Sequence, residues 1–289
     1  MSGKDTVIRT QTPHGIFFID SERDKKMADA LQRGAYPNET LLEIAEAFVN
    51  KESIVVDVGA HIGSFAIPMA KVARKVIAFE PSRETFSLLS RNADENGASL
   101  QLINKGLGSE NGSGTLVVRN TLNAGANTLV SNGDIPITTL DSELSNIDFI
   151  KMDVEGMELD VLRGGAALIE RACPTVFFEV NLSQLRAHGA YPRALERFFA
   201  KYHYQLYFPL KQEKLVLARV RSVTLLTALI APRAWIFFGE SAPFDLLAVP
   251  KEQPLPLQSV GFIRALHSVI SNNITVKNKR IATFLRRIF

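Results

Sequence analysis

Between residues 54 and 180 the chain repeats one pattern: a short, mostly apolar run, a turn, then a helix. Ile54-Val55-Val56-Asp57-Val58 is the first run. It is followed by a glycine and by helical periodicity over Ser64–Val72. Val76–Glu80 is the second, followed by Pro81 and a helix over Arg83–Asn96. Ser99–Ile103, Ile147–Val154 and Pro174–Val180 are further runs, with a helix expected over Met157–Ile169. Near-continuous apolar strands are buried on both faces, and helices between them set successive strands parallel. The expectation is an α/β protein with a mostly parallel sheet and helices on both faces.

The flanks divide the chain. Residues 1–50 read as a lead-in packed on the core, with short strands at Thr6–Ile8 and Gly15–Ile19. A turn and cap at Tyr36–Thr40 precede a helix that carries Leu41, Leu42, Ile44, Ala45 and Phe48. Residues 51–250 read as the main domain. Within it, Gly114–Val118 is expected in a hairpin, Tyr191–Tyr202 in a helix, and Tyr204–Phe208 and Phe244–Val249 in the last strands. Pro250, Pro254 and Pro256 mark a break. Residues 251–289 read as a basic amphipathic helical tail ending in Lys277, Lys279, Arg280, Arg286 and Arg287. A docked helix is the ordinary reading of such a tail, and peripheral membrane contact is the sharper one. The stretch Leu225–Phe238, with Trp235, reads as core, or as the lining of a lipid-linked acceptor site.

Composition excludes several classes. A net charge of +3 is too small to imply a nucleic-acid partner. The single cysteine, Cys173, cannot form an internal disulfide and is expected to pack before a buried strand. The N-terminus lacks the apolar core of a signal peptide, and the longest apolar stretch, Val223–Phe238, is interrupted by Pro232 and Arg233. A cytoplasmic location follows as the expectation. Nothing in the sequence fixes an oligomeric state.

Ligands of open parallel sheets bind beyond the carboxyl ends of the strands. Gly59 to Gly63 turn the chain from the first strand toward a helix, and Glu80 ends the next strand about twenty residues on. A carboxylate there can accept hydrogen bonds from both ribose hydroxyls, which indicates an adenosine cofactor. In Gly59-Ala60-His61-Ile62-Gly63, His61 stands where a dinucleotide loop needs its second glycine. That tilts the choice toward S-adenosylmethionine, which has no phosphate. The competing reading is a glycine-rich turn that binds nothing.

The chain resembles the FkbM family of methyltransferases, which have the seven-stranded class I fold. The resemblance covers roughly residues 15–250. It rests on Val56–Gly63, with His61 where the family usually has Asn or Asp, and on Ala78-Phe79-Glu80-Pro81. Arg91-Asn92 with Asn96, Thr139-Leu140-Asp141, and above all Phe149–Glu158 continue it. Leu162-Arg163-Gly164, Phe178-Glu179 and Leu246–Pro250 complete it. It implies a seven-stranded, mostly parallel Rossmann-like sheet, S-adenosylmethionine as cofactor, and O-methylation of a hydroxyl on a small metabolite or glycan sugar. Asp57, Gly59, Ala60, His61, Gly63, Phe65, Glu80, Pro81 and Asp153 form the expected cofactor-binding set.

Methyl transfer needs an aligned acceptor and a group to take its proton. Asp153, Glu179 and His61 are the catalytic candidates; His188 is a weaker one. Asp153 competes with a helix-capping role, and Glu158 reads as a helix-dipole partner. Lys151, in an apolar strand, is expected to pair with a neighbouring carboxylate. Asp153, Glu155 and Glu179 could converge on magnesium, but no metal is the favoured reading. Two alternatives belong to other classes: a non-catalytic module that keeps an adenosine-cofactor pocket, and a nicotinamide oxidoreductase, which needs the glycine that His61 replaces. A nucleic-acid methyltransferase is disfavoured because the fourth strand ends Asp153-Val154-Glu155-Gly156 rather than in Pro-Pro-aromatic.

Overall fold

The computed structural model describes residues 6–118, 127–131, 133–211, 214–224, 226–227 and 243–261. The chain opens with a hairpin, β1 (Val7–Thr12) and β2 (Gly15–Asp20). Helix α1 (Lys25–Gln32) starts at Asp24, whose carboxylate accepts from the Met27 amide at 3.2 Å and caps it. Helix α2 (Glu39–Phe48) buries Leu41, Leu42, Ile44 and Ala45. Then come β3 (Ile54–Val58), α3 (Ala66–Met69), β4 (Lys75–Phe79), α4 (Arg83–Glu95) and β5 (Gln101–Ile103).

An insertion follows, made of β6 (Gly106–Leu107), β7 (Gly112–Val118), β8 (Asn127–Ser131) and β9 (Ile135–Thr138). These form a separate four-stranded sheet in the order β6-β9-β7-β8, with β7 and β8 as the expected hairpin. A Thr139–Ser142 capping box starts α5 (Leu140–Glu143). The alternation resumes with β10 (Phe149–Met152), α6 (Glu158–Gly164), α7 (Ala166–Ala172), β11 (Thr175–Val180), α8 (Leu182–Ala187) and α9 (Pro192–Lys201). It closes with β12 (Tyr204–Lys211), β13 (Leu215–Val220), β14 (Phe244–Pro250) and β15 (Ser259–Gly261).

The main sheet runs β15-β13-β12-β14-β11-β10-β3-β4-β5. It therefore has nine strands and is mixed, where seven mostly parallel strands were expected. From β5 to β11 every pairing is parallel. From β11 through β14 and β12 to β13 every pairing is antiparallel. The two additional strands arise because β12 extends through Pro209 to Lys211 and folds back on β13, whose outer edge is then paired by β15. A long edge strand left unpaired would invite association with other chains.

Both faces of the sheet are covered. Phe149, Phe177 and Leu247 pack on one side with Phe65 and Met69, and Ile150, Phe178 and Leu246 on the other with Leu162 and Phe199. The helices differ locally from expectation. Ser64–Val72 yields only the one-turn α3, and Met157–Ile169 is split at Gly165 into α6 and α7.

The lead-in is tied to the sheet by two asparagines of α4. Asn92 Oδ1 accepts from the Phe18 amide at 2.6 Å, while its Nδ2 donates to Phe18 O and Ile62 O. Asn96 treats Ile16 the same way. These side-chain amides satisfy the outer edge of β2 as a neighbouring strand would. The stretch Leu225–Phe238 and the tail from residue 262 lie outside the described residues, apart from Leu226 and Thr227, which are buried. No helix among the described residues is long and apolar enough to cross a membrane.

Candidate active site

β3 ends at Val58, and the next residues bend under tight constraint. Gly59 has φ +74°, and a Cβ there would sit 2.1 Å from the Asp153 carbonyl oxygen, so only glycine lets the end of β10 approach. The Gly59 and Ala60 amides both donate to Phe79 O, at 3.0 and 2.9 Å. His61 has φ +53°, a left-handed conformation more accessible to His, Asn and Asp than to most side chains. That conformation aims its amide at Glu80 Oε2, 2.9 Å away; the Ser82 amide donates to Oε1, also at 2.9 Å.

Glu80 is thus a buried carboxylate with one amide on each oxygen. Burial raises its pKa above the usual value, outweighing the charge of His61 and the two amides, which pull it down. A carboxylate offers about four acceptor positions, so about two remain for a ligand. Asn104 steadies the same corner by donating to Glu80 O and Pro81 O.

Glu80 lines a cavity of about 920 Å³ that also reaches Gly59, Ala60, His61, Pro81 and Asp153. One wall comes from the lead-in, a placement that no pattern in the sequence indicates. Asp24 Oδ2 lies 3.0 Å from His61 Nε2. Tyr36 donates its hydroxyl to Ser64 O at 2.5 Å, and Asn38 donates to Ser64 Oγ at 2.8 Å.

The far end of the cavity is acidic. Asp153 follows β10, Glu155 sits in the next turn at φ +52°, Glu179 is near the end of β11, and Asp245 lies in β14. Glu179 and Asp245 are direct partners across the antiparallel pair. Burial and the charges of Asp153, Glu155 and Asp245 push Glu179 up to about 9. Asp245 is pushed up to about 7 by burial and Asp153, against the pull of Lys151. Asp245 escaped the sequence reading, although it carries the same signal as Glu179: an acid near the rim end of an apolar strand.

Residues 57–206 match the methyltransferase FkbM domain. The chain belongs to this family. Two curated relatives are similar to it. The hexuronic acid methyltransferase AglP of Haloferax volcanii is 30% identical over 131 residues, 43% of this chain and 53% of AglP. Methyltransferase 1 of Beauveria bassiana is 30% identical over 146 residues, 39% of this chain and 58% of that protein. The matches thus span little more than half of each relative. Among solved structures, an FkbM methyltransferase from Methylobacillus flagellatus has 22% identity and a TM-score of 0.37, covering 56% of this chain and 43% of that one. The protein SMU.1697c from Streptococcus mutans, solved in complex with SAH, has 12% identity and a TM-score of 0.43, covering 74% and 97%.

In this FkbM-family chain several expected site residues do not reach the cavity. Asp57 is fully buried beneath it, with Oδ1 2.9 Å from Lys151 Nζ. The expected pairing of Lys151 is therefore present, and its partner is the acid that was expected to touch the cofactor. Gly63, at φ +89°, packs against Leu89 and Ile67. Phe65 is buried in the core, its ring 6.3 Å from that of Phe149. His61 does line the cavity, with its imidazole Nε2 engaged by Asp24.

Asp153 is no helix cap: α6 begins five residues later, at Glu158. Glu158 is buried at that start, accepts from the Gly156 amide, and is pushed up to about 7 by burial. Glu155 accepts from Gln184 Nε2 at 2.7 Å. His188 ends α8 away from the cavity lining. Cys173 is exposed in a left-handed turn after α7 rather than packed. Among the described residues, no three His, Cys, Asp or Glu side chains are grouped to hold a metal ion.

Proposed function

We propose that this chain transfers the methyl group of S-adenosylmethionine to a hydroxyl of a sugar or other small metabolite. The observation that carries this reading is Glu80: a buried carboxylate, fixed by two amides, with acceptor capacity left toward the cavity. That is the acceptor a ribose diol requires. A cavity of about 920 Å³ has room for the cofactor and a sugar-sized acceptor together. The Haloferax relative, named for a hexuronic acid, supports a sugar acceptor.

Bound S-adenosylmethionine would supply an electrophilic methyl on a sulfonium that leaves as a neutral thioether. Glu80 holds the ribose, and Gly59, Ala60, His61 and Pro81 border the cofactor. Asp153, open to the cavity at the end of β10, takes the acceptor's proton. Glu179, raised to about 9, carries a proton at neutral pH and donates a hydrogen bond to the acceptor. These roles use no metal ion. The lead-in wall keeps bulk water from the ribose end.

Calorimetric titration with S-adenosylmethionine tests the reading. Wild type is expected to bind, and Glu80→Ala to bind roughly 100-fold more weakly, as loss of two hydrogen bonds to a charged group implies. A wild type that binds no S-adenosylmethionine sinks the cofactor assignment. If the cofactor binds but labelled methyl reaches no hydroxyl acceptor, the chain is a cofactor-binding module instead.

A further inference from the structure

Lys151 is the buried cation of this site, and among the described residues no other lysine or arginine is buried. It occupies the register position beside Asp57 of β3 and Phe177 of β11, on the sheet face that leads into the cavity. An ammonium has three N–H donors. One donates to Gly59 O, 2.6 Å from Nζ, and a second faces Asp57 Oδ1 at 2.9 Å as an ion pair. Burial pulls the pKa of Lys151 down, but Asp57, Asp153 and Glu80 outweigh it, so the group stays protonated. If its whole task were to neutralise Asp57, it could lie wholly beneath the turn, as Asp57 does. Instead Lys151 lines the cavity and Asp57 does not.

The position along the cavity indicates what the third donor meets. Lys151 feels the charges of both Glu80, at the ribose end, and Asp153, at the acceptor end. In the cofactor, the amino-acid arm branches from the sulfonium, between the ribose and the transferred methyl. That arm carries one anion, its α-carboxylate. Of the other cations lining the cavity, Lys105 and Lys211 are spent on Glu143 and Glu43, and Lys26 and Arg33 are exposed on α1 and at its end.

We propose that the third N–H of Lys151 binds the α-carboxylate of the cofactor, so that Lys151 is a cofactor-binding residue as well as the partner of Asp57 and Gly59. Through Gly59 O it also ties the shape of the glycine turn to that carboxylate. The proposal rests on S-adenosylmethionine being the cofactor.

The test compares S-adenosylmethionine with its decarboxylated analogue by calorimetry, alongside thermal unfolding. Wild type is expected to bind S-adenosylmethionine at least about tenfold more tightly than the analogue, a charge-assisted hydrogen bond being worth that much. Lys151→Met alone leaves a buried carboxylate unpaired and can fail to fold. The double variant Asp57→Leu with Lys151→Met removes both charges; it is expected to unfold close to the wild-type temperature and to bind the two compounds alike. Equal binding by wild type overturns the proposal without any variant. A folded double variant that still prefers the carboxylated form overturns it too. A wild type that binds neither compound refutes the cofactor reading, and this proposal with it.

Discussion

At the end of β4, each oxygen of Glu80 is met by a backbone amide, and the charge of His61 lies nearby. Three strands along the same rim, near the end of β11, Glu179 faces Asp245 directly, with Asp153 and Glu155 adding to the same negative field. No ion pair within 4 Å joins Asp153, Glu179 or Asp245 to a cation among the described residues. The first end is fixed by the fold before any ligand arrives. The second sets two carboxyl groups opposite one another, so that ionising both would destabilise the sheet. The contrast separates binding from chemistry. On the proposed function, the Glu80 end is a preorganised cofactor site, and the Glu179 end keeps protonatable groups that structure alone would have paired or removed.

The largest effect that can break this division belongs to Asp153. Asp153→Asn keeps the shape and removes the proton acceptor, so kcat is expected to fall by about 100- to 1,000-fold. Cofactor affinity should stay within about threefold, because the Glu80 clamp is untouched. Single-turnover methyl transfer beside calorimetry separates the two quantities. A large loss of cofactor affinity with little change in turnover would merge the two ends into one binding surface.

The stored repulsion should next be visible in stability against pH. An ordinary glutamate titrates near 4.5, and Glu179 in the folded chain near 9. Between those values the folded state keeps a proton that the unfolded state has released, so stability falls as pH rises through that window. Asp245 and Glu158 contribute the same sign, but only up to about 7. Asp57 and Glu80, also raised by burial, add the same sign, so the share of Glu179 is the slope that Glu179→Gln removes. Glu179→Gln should flatten it and raise stability at pH 9 by about 2 kcal/mol, or roughly 4–8 °C in Tm. Calorimetric melts at pH 5, 7 and 9 decide the matter. An unchanged slope would mean that Glu179 is ionised throughout and the acceptor end is not strained.

How far the sequence revealed these two ends follows from the range of the interactions that build them. β3, the glycine turn and Glu80 are written within about 25 consecutive residues, so the pattern alone brought them to one corner of the cavity. The same holds for Asp153 and Glu179, each near the rim end of an apolar strand. The lead-in wall was not legible because Asp24 and Tyr36 meet His61 and Ser64 only after β2 has docked on Asn92 and Asn96. Asp57 was misplaced for a related reason. Its role is set by Lys151, which lies 94 positions further along the chain yet in direct register on the neighbouring strand. The size of the sheet was underestimated because β13 and β15 pair at its far edge, beyond the βα repeat that exposed the rest.

The smallest predicted effect sharpens the comparison most finely, because it falls on the residue that links the lead-in wall to the Glu80 corner. His61 does two separable things: its left-handed backbone points an amide at Glu80, and its ring meets Asp24. Asparagine tolerates the same backbone, so His61→Asn should keep the amide on Glu80 and lose only the pair with Asp24. Asp24 would still cap α1 through the Met27 amide. The expected cost is about 1 kcal/mol in stability, a partly buried pair lying near the top of the range for exposed ones. Cofactor affinity should change by less than about threefold, because the amide, not the ring, holds the carboxylate. Valine, whose branched side chain resists a positive φ, should instead weaken cofactor binding as well. If His61→Asn abolishes methyl transfer while the cofactor still binds, the imidazole is the base after all, and the proton acceptor belongs to the Glu80 end rather than to the acidic one.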